Sequence, residues 1–241
     1  MQWLIDLFNW TIPIAGGGLL MREVFGNVFG LASALGGMQR KVWAWPVGII
    51  GNLTLLTVFL SSMFGGADTA NLLGQAGRQI MFITVSVYGW VQWQKSRGMQ
   101  GATGKSTAIV PKWASWPTRI ALVVILIGGT LALTPLFRTL GSFEPVWADA
   151  WTFVGSLLAT FGMAKGWVEF WLIWVAVDIV GVPLLFSAGY YATAFMYLFY
   201  GVFTLIGFFV WARARAREKP AVETLMPDPT LQDPGEPQVN S

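Results

Sequence analysis

The sequence predicts an all-α integral membrane protein with seven transmembrane helices, three in each of two repeats and one that links them. Hydrophobic residues make up 55% of the 241-residue chain and charged residues 11%, whereas about a quarter of the residues in a soluble domain are charged. The mean hydropathy is +0.58. One spacing of polar and aromatic residues also occurs twice, 126 positions apart. An apolar chain with an internal repeat is typical of a membrane transporter.

Seven apolar segments meet or approach the length of about 20 residues that a bilayer core roughly 30 Å thick requires. Transmembrane β-strands would be about half as long and would alternate apolar with polar residues. The segments are 22–38, 43–62, 73–94, 117–137, 148–165, 168–188 and 190–212. Residues 1–21 are apolar but interrupted by Pro13 and residues 16–18, and they lack a basic leader and a cleavage site. They predict an interfacial or re-entrant segment rather than a signal peptide.

The repeat consists of an acidic residue before an apolar run, a tryptophan 22 residues later, and a polar residue seven positions after that. These residues are Glu23, Trp45 and Asn52 in the first copy and Asp149, Trp171 and Asp178 in the second. Further along, residues 88–93 align with residues 206–211 at an offset of 118. Because a single helix separates the two triplets, both triplets cross the membrane in the same direction, which predicts parallel repeats.

Composition divides the chain into six parts. They are an N-terminal interfacial segment (1–21), the first three-helix repeat (22–94), a polar, basic linker (95–116), the linking transmembrane helix (117–137), the second three-helix repeat (148–212) and a cytoplasmic tail (213–241). The tail begins with basic residues, and from Glu218 it is rich in proline with little apolar surface to bury. This composition predicts disorder there.

The basic residues predict how the chain is oriented in the membrane. Twelve of the 15 lysines and arginines fall on the side that holds the linker and the C-terminus, and the other three are Arg22, Arg78 and Arg138. The positive-inside rule places that side in the cytoplasm and the N-terminus outside, in a multi-pass protein of the plasma membrane. The pI of about 9.3 is then explained by topology, and no nucleic-acid partner is expected.

Polar and aromatic side chains within the spans predict a substrate site. An ionisable group at the bilayer midplane costs at least about 2.5 kcal/mol, so Asp178 must face a polar interior or a partner. Asn52 occupies the matching position in the first repeat. The alternative is that Asp178 only bridges neighbouring helices. The residues expected to bind substrate are Trp45, Asn52, Gln79, Trp171, Trp174, Asp178, Tyr197 and Tyr200.

The spacing of these residues indicates the chemistry of the substrate. Trp171 and Trp174 lie seven and four positions before Asp178, so one helix face presents two indoles and a carboxylate. That face suits a flat aromatic solute with hydroxyl groups. Gln79 and Tyr197 belong to stripes with alternating steps of three and four residues, which line either a substrate path or a helix–helix seam.

The composition excludes several other functions. The chain has no cysteine and no histidine, which removes disulfides, thiol nucleophiles and imidazole ligands or relays. Without a P-loop the chain is not expected to hydrolyse ATP, and no cofactor or metal is predicted. An intramembrane enzyme would need a carboxylate pair, but Asp149 and Asp178 lie on different spans. A binding subunit of an ATP-driven system is a second alternative, although two repeats favour a self-contained transporter.

Three segments resemble the PnuC-type vitamin transporters. They are WPVGIIGN at 45–52, YGW at 88–90, and the stretch from Trp171 to Asp178. The resemblance extends over residues 22–212 and implies a seven-helix fold related to the SWEET sugar transporters. It also implies facilitated diffusion of a vitamin or vitamin precursor, which is retained in the cell after phosphorylation.

Residues 22–30, 74–82 and 168–184 are most similar to the actinobacterial, riboflavin-transporting members of that family. The resemblance therefore implies riboflavin as the substrate. The residue chemistry leaves nicotinamide riboside or thiamine open as the alternative, because a lone acid can serve a cation or several hydroxyls. It also leaves open proton coupling through Asp178 and the oligomeric state, a homo-oligomer included.

Overall fold

The computed structural model describes residues 10–14, 17–61, 73–101, 108–142, 144–187 and 191–225. Strands β1 (Thr11–Ile14) and β2 (Gly17–Leu20) form an antiparallel hairpin within the segment expected to be interfacial. Seven helices follow: α1 (Met21–Met38), α2 (Ala44–Ser61), α3 (Leu73–Gly101), α4 (Trp116–Thr139), α5 (Val146–Lys165), α6 (Phe170–Ser187) and α7 (Tyr191–Leu225). Apart from the hairpin, the predicted all-helical fold is confirmed.

The helices differ in how well their length and composition suit them to cross a membrane. Within the described residues, Trp116–Thr139 and Tyr197–Arg217 are long and apolar enough to do so by length and composition. Shorter apolar helical stretches run over Val24–Met38, Ala44–Thr57 and Phe170–Leu184. The outer surface of α4 is aliphatic, and Leu131 on it is 68% exposed. Such a surface suits contact with lipid.

The helices pack in two consecutive groups that meet through α3 and α5. In the first group α1 packs on α2 and α2 on α3, and in the second α5 packs on α6 and α6 on α7. The linking helix α4 packs on α5. Contact between α3 and α5 is more extensive than contact between α1 and α7. The two groups therefore meet mainly where α3 packs against α5.

The turn between α1 and α2 has the same backbone structure as the turn between α5 and α6. Arg40 and Gly166, 126 positions apart, both have a positive φ, of 59° and 74°. The Lys41 amide donates to the carbonyl of Gly36 at 2.9 Å, and the corresponding Trp167 amide donates to that of Gly162 at 3.0 Å. The spacing found in the sequence is thus repeated in the backbone hydrogen bonds of these two turns.

A cluster of aromatic rings closes the end of the bundle at which these turns lie. We call this the basic end, because it carries Arg40, Lys41, Lys95, Lys112, Lys165 and Arg213. The aromatic cluster consists of Trp45, Trp93, Phe170, Trp171, Phe203 and Trp211. Its ring pairs include Trp45–Trp93 at 5.3 Å and Trp171–Trp211 at 6.2 Å, both edge to face, which is a favoured aromatic geometry.

Two hydrogen bonds in the aromatic cluster cross between the two groups of helices. The indole Nε1 of Trp93 donates to the carbonyl of Met163 at 3.2 Å. The indole Nε1 of Trp211 donates to the carbonyl of Met38 at 3.1 Å. Each of these tryptophans lies on the third helix of one group and is bonded to the carboxyl-terminal end of the first helix of the other. These bonds join the two groups at the basic end.

Glycine allows the tryptophans of the aromatic cluster to reach their positions. A Cβ atom at Gly207 would lie 2.5 Å from the Trp171 ring, and one at Gly89 would lie 2.4 Å from the Trp45 ring.

Gly207→Ala is therefore expected to displace Trp171 and destabilise the protein by about 1–3 kcal/mol, the usual cost of overpacking. Thermal unfolding of the purified protein measures this. Gly128→Ala is the matched control, because a Cβ there meets no atom within 4 Å; equal stability of the two variants would contradict the expectation.

The structure corrects two predicted helix ends. The third helix continues to Gly101 rather than ending at 94, and the seventh continues to Leu225 rather than ending at 212. The seventh helix thus includes residues 218–225 of the segment predicted to be disordered, while residues 226–241 lie outside the described chain. Alanine, arginine, lysine and glutamine are good helix formers, so a helix can continue after its apolar residues end.

The linker is also more closely packed than its polar composition predicted. Residues 102–107 lie outside the described chain, but Ala108 and Pro111 are buried. The Ala108 amide donates to the carbonyl of Arg40 at 2.9 Å, and the Lys112 amide donates to the carbonyl of Gly166 at 2.9 Å. The second half of the linker is therefore bonded to both repeated turns.

Candidate functional site

Trp45 and Trp171 lie in the aromatic cluster rather than on an open surface. Each is 3% exposed. Trp171 contacts Phe170 and Phe203 at ring distances of 4.4 and 6.2 Å. Sequence spacing placed both tryptophans on the face that carries the midplane polar residues. It could not show that glycines on the neighbouring helices would bring other aromatic rings over them.

Trp174 is partly buried and forms the centre of the candidate site. Its ring is stacked with the ring of Phe82, with centroids 6.2 Å apart and planes 30° apart. Phe82 is on α3 and Trp174 on α6, so the pair joins the two groups of helices. An aromatic pair of this kind offers an apolar surface against which another flat ring can stack.

Asp178 lies one helical turn from Trp174 and is 8% exposed. Its Oδ2 atom is near Gly201 of α7, 3.5 Å from the place that a Cβ there would occupy. Tyr197 lies against Gly181 of α6, 2.9 Å from the equivalent position. Asp178 and Tyr197 thus both lie where α6 and α7 pack against each other.

The remaining predicted residues lie on α7, α2 and α3. The hydroxyl of Tyr200 on α7 approaches Gly30 of α1, 4.0 Å from a Cβ there. Asn52 is partly buried on α2, next to Gly51, which packs against the backbone of α1. Gln79 is buried on α3.

Several buried polar atoms have no hydrogen-bond partner, which is unusual in a folded protein. Among the described side chains, these atoms are Arg22 Nε, Trp45 Nε1, Arg78 Nε, Gln79 Oε1, Trp171 Nε1 and Asp178 Oδ2. Four of the six belong to residues predicted to bind substrate. Donors and acceptors that are buried without protein partners are suited to bind the polar groups of a ligand.

A buried ion pair beside Gln79 was missed by the sequence analysis. The Nη2 atom of Arg78 donates to Asp149 Oδ1 at 3.0 Å and to Thr152 Oγ1 at 3.1 Å. The Arg78 side chain is 9% exposed. Counting Arg78 only as a basic residue near a span end hid this role. The signal available was an arginine four positions before Phe82, on the same helix face.

Two concavities open at the basic end, away from the candidate site. One of about 160 Å³ is lined by residues that include Lys41 and Arg97, and one of about 370 Å³ by residues that include Arg40 and Arg213. Within the described part of the chain, no three histidine, cysteine, aspartate or glutamate residues are grouped so that they could hold a metal ion.

Comparison with known proteins identifies the family. The family model for the nicotinamide mononucleotide transporter matches residues 20–213. The chain belongs to this family. The riboflavin/roseoflavin transporter RibM of Streptomyces davaonensis is similar to it, with 36% identity over 208 residues, 85% of this chain and 91% of RibM. The nicotinamide riboside transporter PnuC of Escherichia coli (strain K12) is 26% identical over 233 residues, 86% of this chain and 92% of that relative.

A solved structure of a vitamin transporter has a similar fold. The crystal structure of the vitamin B3 transporter PnuC matches with a TM-score of 0.63 at 20% sequence identity, covering 90% of this chain and 87% of that chain. The resemblance to PnuC-type vitamin transporters is confirmed. The chain is thus a membrane protein of a vitamin-transporter family, and the relatives that it matches are transporters rather than enzymes.

Proposed function

We propose that this protein imports riboflavin across the plasma membrane by facilitated diffusion. The observation that carries the proposal is the 36% identity to a riboflavin/roseoflavin transporter over 85% of the chain. The lower identity of 26% to a nicotinamide riboside transporter makes nicotinamide riboside the second candidate, and thiamine, another vitamin implied by the family resemblance, a third. A uniporter accumulates its substrate only if the substrate is changed after entry, so phosphorylation of riboflavin in the cytosol drives net uptake.

The chemistry of the candidate site supports a flavin. The stacked pair of Trp174 and Phe82 offers a flat aromatic surface, which suits the three fused rings of riboflavin. The Asp178 carboxylate has an unpartnered buried oxygen, which can accept hydrogen bonds from the hydroxyls of the ribityl chain. We place the substrate with its rings near Trp174 and its chain toward Asp178, Tyr197 and Asn52.

Transport requires the site to open to each side in turn. We propose that the two groups of helices are parallel repeats, arranged as in the SWEET transporters, that rock against each other around the site. The aromatic cluster forms the inner gate in this mechanism. Opening it breaks the hydrogen bonds of Trp93 to Met163 and of Trp211 to Met38, which join the two groups.

The basic end is the cytoplasmic end in this proposal. Twelve of 15 basic residues lie on that side by sequence, which matches the positive-inside rule. The N-terminus is then outside and the C-terminus inside. The chain has no cysteine, so single cysteines introduced at Gly141 and Arg217 can be labelled with an impermeant thiol reagent on intact cells. The first should be labelled and the second protected, and the reverse would overturn the orientation.

Uptake of labelled riboflavin tests the proposed function. The gene is expressed in a bacterial strain that cannot take up riboflavin, and competition is measured with unlabelled riboflavin, nicotinamide riboside and thiamine. Riboflavin should compete and the other two should not. The same strain without riboflavin kinase activity should equilibrate riboflavin but not accumulate it.

Two outcomes would contradict the proposal in different ways. Competition by nicotinamide riboside or thiamine, with no uptake of riboflavin, would replace the substrate and keep the family mechanism. Accumulation of riboflavin above the external concentration without the kinase would replace the uniport mechanism with a coupled one. Dissipating the proton gradient in that experiment shows whether protons provide the coupling.

A further inference from the structure

We propose that Arg78 and Gln79 form a subsite that recognises the uncharged acceptor edge of the flavin ring and disfavours a cationic nucleoside. This inference rests on the proposed function and concerns how the same site selects its substrate. The relevant difference is charge: the nicotinamide ring of nicotinamide riboside carries a positive charge, whereas riboflavin is neutral. A basic group beside the ring therefore separates the two substrates.

Arg78 and Asp178 lie at the same depth in the bundle. Helix α3 runs toward the basic end, where Trp93 joins the aromatic cluster, and α6 starts at that end with Trp171. The two helices therefore run in opposite directions past the stacked pair of Phe82 and Trp174. Arg78 is four residues before Phe82, and Asp178 is four residues after Trp174. Both are displaced about 6 Å from the stacked rings, in the same direction away from the basic end.

The neighbours of the Arg78 guanidinium connect it to the rest of the site. Its Nη2 atom donates to Thr152 of α5, and the methyl group of Thr152 is 3.4 Å from a Cβ placed at Gly181. Gly181 in turn contacts Tyr197, which lies beside Asp178 in the packing of α6 against α7. A continuous chain of contacts thus runs from Arg78 across α5 to the predicted substrate residues.

The Arg78 guanidinium is held in place, but the protein does not provide acceptors for all of its hydrogen-bond donors. One of its nitrogens binds both Asp149 and Thr152, which fixes the planar group. Its Nε atom is buried without a partner, and so is the Oε1 atom of the adjacent Gln79. Arginine only donates hydrogen bonds, whereas the glutamine amide donates and accepts. Together they match a heterocyclic edge with carbonyl oxygens, ring nitrogen acceptors and one N–H donor, which is the edge that a flavin presents.

Charge makes the same subsite unfavourable for a pyridinium. Asp149 partly balances Arg78, and the Asp178 carboxylate is placed at the ribityl chain. The guanidinium is therefore the charge that we place at the ring edge, where like charges at short range repel in an apolar interior. A nicotinamide ring also lacks the row of acceptors that would satisfy the buried donors. A site built to hydrogen-bond one substrate rejects analogues that leave its polar groups unpaired.

Ligand affinities of the purified full-length protein test the inference. Three ligands are titrated: riboflavin, lumiflavin (the flavin ring with a methyl group in place of the ribityl chain) and nicotinamide riboside. Arg78→Gln removes the charge and the guanidinium. We expect the affinities for riboflavin and lumiflavin to fall by the same factor, about ten-fold or more, since a hydrogen bond from a charged group is lost. The affinity for nicotinamide riboside should stay the same or rise. The preference for riboflavin over this cation should therefore fall by at least the factor that the riboflavin affinity loses.

Two further variants separate recognition from structural support. Arg78→Lys keeps the charge and a partner for Asp149 but loses the planar fork; it should weaken both flavin ligands while nicotinamide riboside remains excluded. This variant carries the test if Arg78→Gln does not fold. Arg119→Gln is the matched control, because Arg119 forms an ion pair with Glu169 at 2.7 Å at the basic end, and it should leave the affinity ratios unchanged.

The outcomes distinguish this inference from the proposed function. If the wild-type protein binds riboflavin and both Arg78 variants keep its preference over nicotinamide riboside, the role of Arg78 is overturned and the proposed function stands. An equal loss for all three ligands also overturns it, because that pattern indicates structural support alone. If the wild-type protein does not bind riboflavin, the proposed function and the subsite are both overturned.

Discussion

Replacing Trp174 by alanine is expected to weaken riboflavin binding by about ten-fold or more. The ring of Trp174 is stacked with Phe82 at 6.2 Å, so alanine removes both a wall of the proposed ring site and the support of its neighbour. Aromatic contacts of this kind contribute about 0.5–1.5 kcal/mol beyond the area that they bury, and each 1.4 kcal/mol corresponds to roughly ten-fold in affinity. Trp174→Phe keeps an aromatic surface and should be milder. Titration of the flavin fluorescence measures both.

Two other tryptophans serve as comparisons for Trp174. Trp147, at the start of α5, is 49% exposed, and Trp147→Ala should leave the riboflavin affinity unchanged. Trp171 lies inside the aromatic cluster, so Trp171→Ala should lower the stability of the protein more than the affinity of what remains folded. Unchanged affinity in Trp174→Ala would remove the stacked pair from the substrate site.

The sequence predicted the helices well because the bilayer imposes a length and a composition on each span. Helix α6, for example, occupies residues 170–187 where 168–188 was expected. Helices α3 and α7 continue past the apolar segments that predicted them, because those segments mark only the part of a helix inside the membrane. Beyond the membrane no apolar requirement marks where a helix ends, and the arginines after Trp211 form a helix as readily as a loop.

The site was less predictable because its contacts join distant parts of the chain. Periodicity placed Trp174 and Asp178 on one face, which the structure agrees with, since both lie on a single helix. The bond from Arg78 to Asp149 spans 71 positions and joins two helices, so no local pattern reveals it. The burial of Trp45 likewise depends on Gly89 of another helix. Side-chain surroundings of this kind depend on how the helices meet.

Asp178→Ala is expected to lower riboflavin affinity by roughly ten- to a hundred-fold, because a hydrogen bond to a charged group contributes about 1.5–3 kcal/mol. Asp178→Asn should retain most of the affinity, since the amide oxygen still accepts a hydrogen bond from a ribityl hydroxyl. Under the proposed uniport mechanism the pH dependence of uptake should be the same in Asp178→Asn and the wild type. Lumiflavin has a methyl group in place of the ribityl chain, so its affinity should change little in either variant.

Three measurements on the Asp178 variants separate its roles: protein abundance, ligand affinity and the pH profile of uptake. If Asp178 couples transport to protons, Asp178→Asn will lose accumulation and pH response together, because an amide cannot carry the proton. If Asp178 only bridges α6 and α7, where Oδ2 lies near Gly201, abundance will fall while the surviving protein binds riboflavin normally. Glu144→Gln, on an exposed residue outside the helices, controls for expression. A selective loss of riboflavin over lumiflavin is the one pattern that places the ribityl chain at Asp178, since only that chain distinguishes the two ligands.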